Sequence, residues 1–291
     1  MFTRRKFLKT GGLLALSVPL LKNRVFANAH ARSLPALGIQ LYMVKEDMER
    51  DARDTLKQIG RMGYTQIESY EGNKGVFWGM NNRDFCKMAK DYGLDMVSTH
   101  YAGDSEGYKR LAAGAAEVGI KYLIYPWKGP QKSIDDFKHI ADEFNHYGAI
   151  CKKNGLRFAY HAHDYPYKPV DGQLPIDVLL AGTDKDLVDF QMDFYYTVTE
   201  GKDPVAYIRK YSPRFRLCHM RDVLKKRLPE NSGEESACDL GTGIIDYPQL
   251  LTTCLDNGME YFFVEQSRFF NETPLQSAAV NAEYLINLKS L

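Results

Sequence analysis

Short apolar runs alternate with helical patterns along most of the chain. In one typical unit, apolar residues at helical spacing from Phe137 onward end at Asn154-Gly155, and an apolar run follows from Leu156. Glycine commonly ends a helix because it adopts the left-handed conformation easily. A short run of apolar residues indicates a strand that is covered on both faces, as in parallel sheets. Each unit therefore predicts a helix that leads into a buried strand.

This unit repeats. Eight strands are predicted, at residues 36–43, 64–68, 94–100, 120–126, 156–164, 187–193, 215–219 and 261–265. Successive strand ends lie 26 to 34 residues apart, except for a last gap of 46 that contains a charged insertion at 224–239. A (β/α)8 TIM barrel of roughly 250 residues needs about 31 residues per unit, which matches this spacing. The alternative is a doubly wound sheet, but no glycine-rich phosphate turn follows the first strand.

The first 29 residues have the features of an export signal. Residues 3–9 form a twin-arginine pattern, residues 11–21 are apolar, and Ala27-Asn-Ala29 fits the small-residue cleavage rule. We therefore predict a signal peptide at 1–29, a single barrel domain at 30–291 and a periplasmic location. Cleavage after Ala31 is the competing choice. Since no cysteine follows the apolar region, a lipid anchor is not expected.

Removal of residues 1–29 changes the charge balance. The remaining chain has 32 basic and 37 acidic residues, a net charge of −5. This charge argues against a nucleic-acid partner. After the signal, no stretch reaches the roughly 20 apolar residues of a transmembrane helix. The five cysteines are scattered and odd in number, without a C-x-x-C motif, and are predicted to be mostly core residues.

Polar residues stand at the predicted strand ends. Because the carboxyl ends of parallel strands meet at one rim of a barrel, these side chains are expected to converge. Two imidazoles and two carboxylates from neighbouring strands make a mixed nitrogen and oxygen site for one divalent ion. The pattern does not choose among Mn²⁺, Co²⁺, Zn²⁺ and Mg²⁺. The predicted ligands are His161, Asp193, His219 and Glu265.

Several motifs resemble the xylose-isomerase-like barrels of the sugar phosphate isomerase/epimerase type. They are Leu37-Gly-Ile-Gln-Leu-Tyr42, Gly155-Leu-Arg-Phe-Ala-Tyr-His-Ala-His163, Cys218-His-Met-Arg-Asp222, Gly241-Thr-Gly-Ile-Ile-Asp246 and Val264-Glu-Gln266. The resemblance covers the chain after the signal and implies metal ligands at the same four strand ends. It also implies proton abstraction next to a sugar carbonyl, with an enediolate stabilised by the metal. Barrels of this family often pair, so a homodimer is an expectation from the resemblance.

The resemblance suggests roles for further residues. Glu265 is expected to be both ligand and base, and His163 the second acid/base group. Substrate binding is expected from Glu68, His100, Lys128 and Arg221. In ketose 3-epimerases of this family a glutamate stands where this chain has His161, which argues against a symmetric exchange between two glutamates. Aromatic side chains that would stack on a sugar face are Tyr42, Trp78, Trp127, Tyr165 and Tyr195.

The sequence leaves other functions open. Phosphorylated sugars are chiefly cytosolic, so an exported member would meet free sugars or glycosides. The same chemistry would then run as elimination or hydration of 3-keto-glycosides. An abasic-site endonuclease shares the barrel but requires three zinc ions and a basic face. The last alternative is a sugar-binding barrel that catalyses no reaction.

Overall fold

The computed structural model describes residues 34–226, 228, 236–269 and 272–288. The predicted signal peptide at 1–29 lies outside these residues. Eight parallel strands close into a barrel in the order β1-β10-β7-β6-β5-β4-β3-β2, so the predicted (β/α)8 fold is confirmed. These strands are β1 Gly38–Gln40, β2 Gln66–Tyr70, β3 Asp95–His100, β4 Tyr122–Tyr125, β5 Arg157–Ala162, β6 Val188–Asp193, β7 Phe215–Met220 and β10 Tyr261–Val264.

Helices follow the strands and pack around the barrel. They are α1 Lys45–Arg61, α2 Asn82–Asp91, α3 Ser105–Glu117, α4 Ile134–Lys153, α5 Pro175–Gly182, α6 Phe194–Thr199, α7 Pro204–Lys210, α8 Tyr247–Asp256 and α9 Pro274–Ile286. The longest, α4, begins with a capping box between Ser133 and Asp136, which satisfies backbone N–H groups in its first turn. Gly155 follows it with a φ of 76°, so the predicted glycine stop is confirmed.

The strands are buried on both faces. Their outer side chains join the large core beneath the helices, which explains why the strands read as apolar runs rather than alternating ones. A separate cluster contains Val97, Tyr122, Ile124, Ala159, Leu217 and Phe263 from five different strands. This cluster fills the barrel interior, and it leaves the polar strand ends as the place where ligands can enter.

The charged insertion at 224–239 is accompanied by a short antiparallel pair: β8 Asp222–Val223 lies just before it, and β9 Ala237–Cys238 lies near its end. The Asp222 carboxylate accepts N–H bonds from Gly241, Gly243 and Ile245, as well as from Val223. The two sequence motifs on either side of the insertion are therefore bonded to each other. This contact returns the chain from the insertion to α8.

All five cysteines are free thiols, and four of them are buried, as their predicted role in the core requires. Burial raises the pKa of the Cys151 thiol to about 12. Within the described ranges, no helix is long and apolar enough to cross a membrane.

Candidate metal centre

The ends of four neighbouring strands bring the predicted ligands together. His161 is on β5, Asp193 ends β6, His219 is on β7, and Glu265 directly follows β10. The first three are buried, the Glu265 side chain is only 12% exposed, and one potential ligand atom from each lies within 4.8 Å of the others. The barrel order places these strands side by side, so the convergence follows from the fold.

His161 has the state that a metal ligand requires. The residue is 2% exposed, and neither ring nitrogen has a hydrogen-bond partner among the described residues. Burial, together with the nearby rings of His219 and His163, holds the pKa of His161 well below its usual value. The imidazole is therefore neutral and has an available lone pair. Two unsatisfied nitrogens in a buried ring are costly, and a metal bond would satisfy one of them.

His219 lies between two carboxylates. Its Nε2 atom is 2.6 Å from Oε1 of Glu68, and its Nδ1 atom is 2.8 Å from Oε2 of Glu265. When Nε2–H donates to Glu68, a neutral ring presents the Nδ1 lone pair to the Glu265 oxygen. Two electron-rich atoms at this distance need a proton or a cation between them. This close approach of a nitrogen and an oxygen suits either a shared proton or a divalent ion that His219 and Glu265 would hold.

A proton on His219 can take the place of an ion between these two atoms. Burial acts to lower the pKa of His219, but the flanking Glu265 and Glu68 raise it to about 10. Burial acts in the opposite direction on Glu265, yet His219 and Arg221 bring the pKa of that carboxyl down to about 2. The carboxylate is therefore ionised throughout the neutral range, as a ligand must be.

Asp193 is held by its surroundings in the same ionised form. Its Oδ2 atom accepts a bond from Nη2 of Arg221 at 2.7 Å, and its Oδ1 atom accepts the N–H of Tyr196 at 3.1 Å. Although burial acts to raise the pKa of Asp193, the Arg221 and His161 side chains lower it strongly. The set of two imidazoles and two carboxylates fits one divalent ion with mixed nitrogen and oxygen ligands.

The four-residue cluster adjoins a cavity of about 610 Å³ that two of its members line. His161, Glu265 and two other predicted site residues, His100 and Arg221, line this cavity. His163 lines it as well, with its ring centre 4.3 Å from that of His161 and 5.1 Å from that of Tyr196. Burial lowers the pKa of His163 to about 4. A neutral imidazole beside the predicted ligands can accept a proton.

His100 lines the cavity, but its Nε2 atom already contacts other side chains of the protein. Its Nε2 atom lies 2.9 Å from Oε1 of Gln191 and 3.1 Å from Oε1 of Glu68. Its ring stacks on His219, with 5.4 Å between ring centres. The structure therefore places His100 beside the predicted metal ligands, where its ring faces both the cavity and the buried network.

Glu68, which the sequence predicted to contact substrate, lies in a buried network and is not among the residues that line the cavity. The side chain is completely buried, and the carboxylate accepts hydrogen bonds from Gln40, Ser98 and Gln191 besides that from His219. Strand β2 extends to Tyr70, two residues beyond the predicted end, so Glu68 lies deeper than the rim. Its place is to orient His219 rather than to hold a hydroxyl group. Glu71 lines the cavity instead.

Lys128, the other predicted substrate contact, forms an ion pair outside the cavity. Its Nζ atom lies 2.5 Å from Oε2 of Glu143 and 5.0 Å from the ring centre of Tyr125. The residue is not among those that line the cavity. The Lys128 ammonium pairs with Glu143 of α4 and at the same time packs on the ring of Tyr125. These two contacts hold it outside the cavity.

The aromatic predictions divide into two groups. Trp78 is 4% exposed and donates to Ser69, while Tyr165 and Tyr195 are buried and hydrogen-bonded to backbone N–H groups. These three do not offer an open face to a sugar. Tyr42 and Trp127 line the cavity and are exposed.

Four residues near the site were missed from sequence. Gln40 and Gln191 donate to Glu68, and Tyr196 and Gln266 line the cavity. Gln191 lies inside an apolar run, where an uncharged polar residue signals a buried partner. Tyr196 and Gln266 follow strand ends closely, and this position was the signal that could have found both.

Comparison with known proteins adds to this geometry. A family model described as xylose isomerase-like TIM barrel matches residues 56–285. Over 142 residues the chain is 28% identical to an inosose dehydratase from Clostridium perfringens. That match covers 45% of this chain and 47% of the dehydratase, so it spans about half the length of the curated relative.

Solved structures cover more of the chain. A sugar phosphate isomerase/epimerase from Parabacteroides distasonis is 26% identical with a TM-score of 0.75, over 87% of this chain and 98% of that one. The IolI protein with a bound zinc atom is 14% identical with a TM-score of 0.70, over 87% and 97%. The 3-keto-D-glucoside 4-epimerase from E. coli is 16% identical with a TM-score of 0.63, over 86% and 98%. The last two share the fold. The named dehydratase, isomerase and epimerases are enzymes, in agreement with the enzyme class predicted from the sequence.

Proposed function

Because the chain belongs to the xylose isomerase-like TIM barrel family, we propose that it is a metal-dependent carbohydrate enzyme of the isomerase/epimerase type. Its substrate is a sugar or keto-sugar, and the reaction begins with removal of a proton from the carbon beside a carbonyl group. One observation carries this proposal: the four predicted ligands converge, and two of them, His161 and Glu265, line a cavity together with the neutral His163. A Lewis-acid site beside a base is what this proton transfer requires.

The residues that would hold the ion are His161, Asp193, His219 and Glu265. The fit rests on the two unpartnered nitrogens of His161 and on the close approach of His219 Nδ1 to Glu265. A divalent ion bound there supplies Lewis acidity to an oxygen of the substrate. The zinc atom bound by the structurally similar IolI protein supports a divalent ion for this barrel. The identity of the ion is left among Mn²⁺, Co²⁺, Zn²⁺ and Mg²⁺.

Other side chains transfer the proton or hold the predicted ligands in position. His163, neutral above about pH 4 and exposed to the cavity, takes the proton from carbon. Glu265 has an ionised carboxylate on the ligand set and is a second proton acceptor, while His163, once protonated, is the group that gives a proton back to the substrate. Arg221 fixes Asp193 through its Nη2 atom, and its burial keeps that charge pair away from water. Glu68 fixes the ring of His219 from the opposite side.

Elimination or hydration is the second candidate, because this chain has His161 where a two-glutamate epimerase has a carboxylate. Among the described residues that line the cavity, the carboxylates other than Glu265 are Glu46 and Glu71 at its mouth. In an elimination, the C–H bond breaks with its proton moving to His163. The electron pair of that bond forms the C=C double bond as the bond from the next carbon to its oxygen substituent breaks, and the leaving oxygen takes the proton from His163. The similarity to inosose dehydratase supports this outcome.

The deciding experiment measures metal content and proton exchange together. The purified chain is loaded with Mn²⁺, Co²⁺ or Zn²⁺, and ketoses and 3-keto-glucosides are incubated in D₂O and followed by NMR. We expect about one ion per chain and deuterium at the carbon beside the carbonyl. Epimerised products indicate the first candidate, and unsaturated or cleaved products the second. His161→Ala should lose the ion and the exchange.

Failure of the protein to bind any divalent ion would contradict this proposal and favour the non-catalytic sugar-binding barrel. Bound metal without deuterium exchange in any substrate would contradict the proton-transfer step. His139→Ala, on the exposed face of α4, is the matched control and should keep both properties.

Export by the twin-arginine route is a separate proposal that rests on residues 1–29. The full chain should appear in the periplasmic fraction of an expressing bacterium. Replacement of Arg4 and Arg5 by lysine should retain it in the cytoplasm. Equal export of both forms would overturn the assignment.

A further inference from the structure

Two large aromatic side chains stand exposed at the mouth of the cavity. Tyr42 is 49% exposed and Trp127 is 55% exposed, and both line the cavity. Exposure of a tryptophan on a globular surface leaves a large apolar area in water, which costs free energy unless a ligand covers it. These two rings are therefore candidates for contact with a ligand.

The two rings come from different walls of the barrel. Tyr42 lies two residues after β1 and Trp127 two residues after β4, and β2 and β3 separate those strands. Tyr42 has the ring of Tyr70 perpendicular to it at 5.1 Å and the Nζ atom of Lys45 4.5 Å from its centre. Trp127 has Tyr165 perpendicular to it at 6.3 Å. Each ring is thus supported by a neighbour while much of its surface remains open.

The cavity is larger than one sugar ring. A volume of about 610 Å³ falls within the roughly 300–1,000 Å³ that is typical of pockets for ligands of several rings. A hexose, with about twelve non-hydrogen atoms, would fill only roughly a third of it. If the reacting ring lies at the four-ligand set, space remains between that ring and the mouth.

The polar groups of the mouth suit a carbohydrate or glycoside. Lys45, Glu46 and Glu71 line the same end of the cavity as Tyr42. Carboxylates accept hydrogen bonds from hydroxyl groups, while aromatic faces contact the C–H groups of a sugar or another aromatic ring. This combination of one apolar face and surrounding acceptors matches a flat ring with polar substituents.

We propose that the mouth is a subsite for a second ring of the substrate. The substrate is then a glycoside whose reacting sugar lies at the metal ligands and whose second ring packs against Trp127 and Tyr42. That second ring is either a sugar or an aromatic group, since both present a flat face. The inference rests on the proposed function because the four-ligand set defines the reacting end.

The chain offers a direct optical test. It contains two tryptophans, Trp78 and Trp127, and Trp78 is buried. Ligand contact at the mouth should therefore change the emission of Trp127 alone. The metal-loaded protein is titrated with methyl β-glucoside as a one-ring probe, with cellobiose and maltose as two-sugar probes, and with phenyl β-glucoside as an aromatic one. Binding is measured in parallel by calorimetry.

We expect the two-ring probes to bind about 10-fold more tightly than methyl β-glucoside, which corresponds to about 1.4 kcal/mol. Their binding should shift the Trp127 emission. In Trp127→Leu this advantage should fall to about 2-fold or less, with little change for the one-ring probe. Ile286→Ala removes an exposed apolar side chain from α9 outside the cavity and should leave all affinities unchanged.

A preference for phenyl glucoside identifies an aromatic second ring, and a preference for cellobiose or maltose identifies a sugar. Equal affinity for one-ring and two-ring probes, or binding by none of them, would overturn the subsite. Those results would leave metal content and deuterium exchange intact, so the proposed function would survive. Conversely, a protein without metal that still shows the Trp127 signal would retain the subsite and lose the proposed reaction.

Discussion

Glu68 and His219 form a completely buried hydrogen bond, with Nε2 of His219 2.6 Å from Oε1 of Glu68. Glu68 lies in β2 and His219 in β7, which are on different sides of the closed barrel. The bond fixes which ring nitrogen of His219 carries hydrogen and which one faces the other ligands. A metal-binding histidine is normally oriented by such a carboxylate.

Glu68→Gln should weaken metal binding about 10- to 100-fold, the usual effect of losing such a partner. The amide also brings an NH₂ group toward the donors of Gln40 and Gln191, so the metal-free protein should unfold at lower urea concentration. Metal competition titrations measure the first effect. Glu71→Gln at the cavity mouth is the matched control and should keep its affinity. Unchanged affinity in Glu68→Gln would contradict the orienting role.

Metal binding should release about one proton per ion at pH 8. The proton comes from His219, whose pKa is raised to about 10 by Glu265 and Glu68 against the opposing effect of burial. His161 is already neutral and the carboxylates are already ionised, so they contribute none. Affinity should therefore rise about 10-fold per pH unit between roughly pH 7 and 9. Calorimetry in two buffers of different ionisation enthalpy measures the proton count.

The raised pKa of His219 also predicts how the stability of the metal-free protein depends on pH. The contribution of His219 to the free energy of unfolding is fully present below about pH 6.5, the pKa of a histidine in the unfolded chain. This contribution is lost as the pH rises toward 10. Urea unfolding of the metal-free chain at pH 7 and pH 9.5 should show this loss. A site that released no proton on metal binding would show neither effect.

His163→Asn should slow deuterium exchange by about 10²- to 10⁴-fold, the usual contribution of a general base. Metal content should remain near one ion per chain, because His163 is placed beside the ligand set and not in it. NMR exchange rates and metal analysis on the same sample separate these properties. If the variant loses its metal, His163 is a ligand and the base must be sought elsewhere.

Lys128→Met should change KM by less than about 2-fold. The ammonium pairs with Glu143 instead of reaching the cavity, and a partly exposed pair contributes at most about 1 kcal/mol to stability. Arg221→Lys provides the contrast, because a lysine cannot bond both Asp193 and Ser267 as the guanidinium does. We expect at least about a 10-fold loss of activity there. Equal effects in both variants would refute this distinction.

Gly243→Ala should destabilise the fold by about 1–3 kcal/mol. A Cβ at Gly243 would collide with the Asp222 carboxylate and the Val223 carbonyl oxygen. Gly114→Ala inside α3 is the control, since its Cβ would meet only Asn82 Nδ2 at an ordinary 3.5 Å. Helix propensity should make that variant slightly more stable. Urea unfolding of both proteins compares them, and an unaffected Gly243→Ala would contradict the close packing.

The barrel and the convergence of its four polar strand ends follow from the order of residues in the chain. Apolar runs of strand length, separated by helical patterns and glycine stops, permit few arrangements other than parallel strands covered by helices. A residue at the end of such a strand has one rim to occupy, so the sequence is enough to place His161, Asp193, His219 and Glu265 together.

The contacts of the remaining polar side chains depend on the packing of distant parts of the chain. Strand β2 ends two residues later than the sequence predicts, so Glu68 lies in the interior and not at the rim. There it accepts a hydrogen bond from Gln191, which is 123 positions away in the sequence. Lys128 pairs with Glu143 because α4 packs beside it. Local sequence fixes the position of a residue along a strand, but hydrogen-bond partners depend on which distant groups the closed barrel brings within about 3 Å.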